Sequence, residues 1–89
     1  MNNTTPQKIS LYEAETLCRR LMAQHGADKL GWVFKWSNGV RQMGCVYFRT
    51  VRCRFTGRVE KLVQELRLSR NLVRLNGVEE VTDVILHEI

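Results

Sequence analysis

Trp32-Val33-Phe34-Lys35-Trp36 (WVFKW) is where the hydrophobic period of this chain changes. Its three aromatics alternate with Val33 and Lys35, so Trp32, Phe34 and Trp36 share one face of an extended strand. Before it the period is helical. Ser10-Leu11-Tyr12-Glu13 is a capping box, in which the Ser10 hydroxyl accepts from the Glu13 amide and the Glu13 carboxylate reaches back. Ala14, Leu17, Cys18, Leu21 and Met22 then recur as one apolar stripe, and Gly26 supplies a stop. The pattern predicts a helix from Leu11 to His25, with Arg19 and Arg20 off the stripe and solvated.

After WVFKW come Ser37-Asn38-Gly39, with turn chemistry, and Gly44 to Arg49 (GCVYFR), a second strand. Val51 to Phe55 alternates again, which predicts Val51, Cys53 and Phe55 inward and the arginines outward. Thr56-Gly57 marks a turn. Val59 to Gln64 fits either a strand or a helical turn, and Glu65 to Ser69 (ELRLS) fits a strand. Ser69 to Leu75 suits a short helical turn ending at Asn76-Gly77. Asn76, with Glu79 three residues on, is placed to cap a last helix whose stripe is Val78, Val81, Ile85 and Ile89. The order predicts an α+β fold: an N-terminal helix, an antiparallel sheet of three to four strands and a C-terminal helix. Residues 1–9 read as a disordered leader and 10–89 as one domain.

Composition narrows the function classes. Eighty-nine residues make one small domain that buries roughly 60–65% of its unfolded surface. At 44% hydrophobic and 26% charged the chain is ordinary for a globular protein. No apolar run approaches the ~20 residues of a membrane span, and MNNTTPQK lacks the apolar core of a signal peptide. The expectation is a cytoplasmic protein with no membrane partner. Cys18, Cys45 and Cys53 are odd in number and widely spaced, which suits reduced apolar residues better than a Cys45–Cys53 bridge or a metal clip. The net charge of +5 is unevenly spread. From Arg41 to Arg74 nine basic residues face only Glu60 and Glu65, whereas from Val78 onward there are four acids and no Lys or Arg.

Chemistry enters with the last residues, TDVILHEI, Thr82 to Ile89. His87 and Glu88 are offset from the apolar stripe, so the helix can bury one side and present this pair toward a cleft. In zinc hydrolases a His on a helix supplies one ligand, a second His at i+4 supplies another, and the Glu between acts as general base. Here the pair could equally be a solvated helix terminus, with His87 suited to the negative end of the dipole.

Three segments in order, LYEAETLCRRLMAQHG, WVFKWSNGVRQMGCVYFR and ELRLSRNLVRLNGVEEVTDVILHEI, resemble the amino-terminal part of a SprT-like (Spartan-type) metalloprotease domain. The specific elements are W-S-N before a Gly-containing basic strand, L-R-L-S, and V-I-L-H-E-I, and the likeness spans Leu11 to Ile89. The resemblance implies a zincin-like fold, zinc as cofactor, a protein substrate, His87 as a metal ligand and Glu88 as the catalytic acid/base. It also implies a domain truncated within its metal motif, inactive as given and without stably bound zinc, because no second His follows His87.

A reading of a different class rests on residues alone. Arg49, Arg52 and Arg54 lie beside Tyr47 and Phe48, and basic strands with aromatics can hold a nucleic-acid backbone and stack bases. That reading makes the chain a small basic module that binds DNA without catalysis; the same residues also suit a solvated sheet face. Self-association through the final helix, where Ile85 and Ile89 would lack partners, is a third expectation.

Overall fold

The structure, a computed structural model, describes residues 8–89. Residues 1–7 of the expected leader lie outside it, but its last residue belongs to the fold. Ile9 is buried, its amide donates to the Asn76 carbonyl at 3.0 Å, and Lys8 bridges to Gly77. An apolar side chain here is tucked under the start of the last helix, so Ile9, and with it Lys8, packs with the body ahead of Ser10.

Helix α1 (Leu11–Gln24) forms as its sequence dictates. Ser10 Oγ accepts from the Glu13 amide at 3.0 Å and Glu13 Oε1 accepts from the Ser10 amide at 3.1 Å. The helix closes in a Schellman arrangement, Gly26 N–H to Ala23 and Ala27 N–H to Met22, with Gly26 at φ 77°. Its buried face is Ala14, Leu17, Cys18, Leu21 and Met22.

Three strands follow: β1 (Val33–Ser37), β2 (Gly44–Arg52) and β3 (Val59–Ser69). The sheet order is β1-β3-β2, with β2 antiparallel and β1 parallel to β3. The sheet is therefore mixed, not antiparallel. β3 takes the centre, paired on both edges; Leu66 and Leu68 are buried on the helix-covered face, and Val63 and Glu65 are buried on the other. The β1–β2 loop crosses the end of β3 and is pinned there. Ser69 donates its amide to the Met43 carbonyl and its hydroxyl to that of Gly39, and Asn71 Nδ2 donates to that of Asn38. The two predicted strand pieces at Gly44–Arg49 and Val51–Phe55 are one strand ending at Arg52. Cys53 to Arg58 then turn back, leaving Phe55 93% exposed instead of inward.

Ser69 caps a short helix α2 (Arg70–Val73) by accepting from the Leu72 amide. Helix α3 (Val78–Glu88) is capped one residue later than its sequence suggests. Gly77 is the N-cap, its amide donates to Glu80 Oε1 at 2.9 Å, and the Asn76 amide group is spent on the Leu72 carbonyl. α1 and α3 cover one face of the sheet, giving a two-layer α+β domain. The core joins Phe34, Leu66 and Leu68 to Leu17, Leu21, Val81 and Ile85, with Trp32, Trp36, Val84 and Ile89 packed at its edge. Trp32, Phe34 and Trp36 do share the helix-facing side, and Trp36 Nε1 donates to Glu15 Oε1 at 3.1 Å. Among the described residues no helix is long and apolar enough to cross a membrane.

Candidate functional site

Helix α3 is placed by its contact with the edge strand. Val81 and Ile85 are fully buried, while Val84 lies against Gly44 on β2. A Cβ at Gly44 would come within 2.5 Å of Val84 Cγ1, so the missing side chain is what lets helix and strand approach so closely. His87 and Glu88 follow Val84 by three and four residues, which carries them along the same flank of the helix for one more turn. Glu88 is half-buried there and His87 is exposed. The sequence expected a cleft at this point, and neither residue lines any of the concavities described below.

A zinc site needs three protein ligands in a catalytic centre and four in most structural ones. Among the described residues no three His, Cys, Asp or Glu side chains come together in a group able to hold a metal ion. His25 ends α1 as its C-cap, and Cys18, Cys45 and Cys53 are all free thiols. Burial pushes the Cys18 thiol up to about 12, which makes it an inert part of the core. These residues do not by themselves fit a catalytic zinc ion.

The strongest electrostatic feature lies on the face of the sheet away from the helices. Glu65 is 3% exposed on β3 and is clamped by two arginines. Arg67 reaches it at 2.7 Å and Arg49, from β2, at 3.2 Å. The Arg67 bonds, helped by Arg49 and opposed by desolvation, hold the Glu65 carboxyl below the usual carboxylate range. The Arg67 guanidinium also stacks 3.9 Å from the Tyr47 ring. Sequence reading passed over this cluster. Glu65 and Arg67 at i, i+2 share a strand face and could have been paired, but Arg49 joins them only through the β2–β3 register.

The three arginines proposed for nucleic acid are not brought together. Arg49 belongs to the Glu65 cluster. The register slips between Val51 and Arg52, and Arg52 folds back to donate to the Gly57 carbonyl at 2.9 Å. Arg54 stands in the turn beyond. No family model, curated protein or solved structure matches this chain.

Two concavities border the sheet. One, about 650 Å³, lies between α1 and β1 and is lined by Arg19, Met22, Trp32, Phe34, Lys35 and Arg49 among others. The second, about 400 Å³, lies under the β1–β2 loop beside Tyr47 and Arg67. A third, also about 400 Å³, is an acidic hollow along the start of α3, lined by Glu79, Glu80 and Asp83.

Proposed function

We propose that the chain is the amino-terminal scaffold of a SprT-like zinc-dependent peptidase domain, with α3 as the helix that carries its metal chemistry. One observation supports this reading most. Gly44 lets α3 pack against the edge strand, and the flank so positioned leads to His87 and Glu88. An α1 backing helix, a sheet and a final helix bearing His-Glu occur here in the order the resemblance implies. In this reading His87 would supply one ligand of the metal and Glu88, one residue on, would serve as the general acid/base. Among the described residues no further ligands gather with His87, so the 89-residue chain is expected to be inactive and to bind zinc weakly.

The test uses a chain extended past Ile89 by its own coding sequence. The reading requires a His four positions after His87, and about one zinc per purified chain. His87→Ala should abolish zinc retention. Glu88→Gln should keep the zinc and lose casein hydrolysis, a separation that a merely structural Glu88 would not give. Zinc content unchanged by His87→Ala, or no His at that position, overturns it.

A further inference from the structure

The β2–β3 pair does not stop where the helices stop. From Phe48 to Leu62 nearly every residue is exposed on both faces, so the two strands leave the body as a free ribbon. Five strand steps from Phe48 to Cys53 make it roughly 16 Å long. The molecule accordingly measures 65 Å along its long axis against 27 and 19 Å across.

The ribbon is built to hold its shape. Cys53 donates to the Arg58 carbonyl at 2.8 Å and Gly57 to the Cys53 carbonyl at 2.9 Å, with Gly57 at φ 73°. Arg58 N–H donates to Thr56 Oγ1, and the Arg52 guanidinium clamps the Gly57 carbonyl. The slip between Val51 and Arg52 adds local twist. This framed turn presents Phe55 at the apex, 93% exposed.

Charge along the ribbon is one-sided. Arg49, Arg52, Arg54, Arg58 and Lys61 face a single acid, Glu60. Arg54, Arg58 and Lys61 make no ion pair among the described residues. Like charges at this density repel a second copy of the same ribbon, and they attract a polyanion. A two-stranded ribbon is also the width that the major groove of a duplex admits, with phosphates on either side within reach of arginine.

We infer that the β2–β3 ribbon is a duplex nucleic-acid-binding arm, in which Arg54, Arg58 and Lys61 neutralise backbone phosphates and Phe55 makes the apolar contact within the groove. The arm is independent of the chemistry assigned to α3. It replaces the row of Arg49, Arg52 and Arg54 with a different set, since Arg49 is held by Glu65 and Arg52 by the turn.

The experiment is fluorescence anisotropy of the whole chain with a 20-base-pair duplex, repeated with a single strand and with vesicles containing anionic phospholipid. Three phosphate contacts give a salt slope near −3, or about a 40-fold loss between ~50 and ~200 mM salt. Arg54→Ala/Arg58→Ala/Lys61→Ala should reduce that slope by about 3 and weaken low-salt binding more than tenfold. Phe55→Ser should weaken binding several-fold and leave the slope unchanged. Arg20→Ala/Arg74→Ala, on the body, should bind as the parent does. Thermal melts of all variants should match the parent, because every substituted side chain is exposed. Affinity unchanged in the triple variant, tighter binding to the single strand, or preference for vesicles over duplex each overturns the arm as a duplex contact.

Discussion

Glu65 is the residue whose surroundings differ most from what its type prefers. A carboxylate 3% exposed needs partners, and Arg67 and Arg49 supply them. The arginine bonds lower its proton affinity below the ordinary value of 4.5, so the folded chain releases this proton more readily than the unfolded one. A depressed carboxyl contributes stability that is complete above about pH 4.5 and is lost as pH falls toward the folded value. Thermal melts between pH 7 and 3 should therefore fall less steeply for Glu65→Gln than for the parent; parallel curves would remove the cluster from the acid limb. Glu13 and Glu15, lowered by Ser10 and by Arg19, keep part of that limb in the variant. Gly44 makes a second argument at this scale. Its missing Cβ is filled by Val84, whose branched side chain has little rotamer freedom in a helix. Gly44→Ala is expected to destabilise by about 1–3 kcal/mol as an overpacking change. Adding Val84→Ala should recover much of that loss, a non-additivity visible in a double-mutant cycle by urea melts. Strict additivity would mean that the two do not touch.

Elements differ in how far local sequence specifies them. α1 was legible because its signals are short-range: Ser10 and Glu13 three apart, a stripe at Ala14, Leu17, Cys18, Leu21 and Met22, and Gly26 after the last turn. Ser10→Ala should lower stability by about 1 kcal/mol, measured by denaturant titration, since it leaves the Glu13 amide without its cap. The strands were legible as strands but not in their pairing. Nothing in WVFKW says that it runs parallel to ELRLS; the arrangement follows from Ser69, whose amide and hydroxyl pin the β1–β2 loop across the end of β3. Alternation in Val51-Arg52-Cys53-Arg54-Phe55 holds as far as Arg54, with Val51 and Cys53 half-buried and the arginines exposed, and fails at Phe55, where the chain has already turned back. The His87-Glu88 pair was legible as a dipeptide, and the packing of Val84 on Gly44 that positions it is a contact between residues 40 positions apart in the chain.

At the scale of the molecule the chain divides into a packed body and a thin arm. A radius of gyration of 15.6 Å exceeds the ~12 Å of a compact chain this long. In the body, β3 is paired on both edges from Glu65 to Ser69 and roofed by helices. In the arm, Val59 to Leu62 pair with β2 alone and are exposed, with cover returning at Val63. Local opening should therefore be much easier in the arm than in the body, whose amides exchange only with larger unfolding. Trypsin provides a direct reading, because the arm offers Arg52, Arg54 and Arg58 while α1 offers Arg19 and Arg20. Limited digestion followed by mass spectrometry is expected to cut at Arg54 and Arg58 well before Arg19 or Arg20. Both halves of a chain nicked at Arg54 keep their places in the body, β2 through Gly44 to Tyr47 and β3 through Glu65 to Ser69, so the fragments should co-elute on gel filtration until denaturant is added. First cleavage within α1, or fragments that separate at once, would show that body and arm share one cooperative unit. A bound duplex covering the arm should then slow the Arg54 and Arg58 cuts selectively and leave those at Arg19 and Arg20 unchanged, which ties the stability of the ribbon to the contact it is built to make.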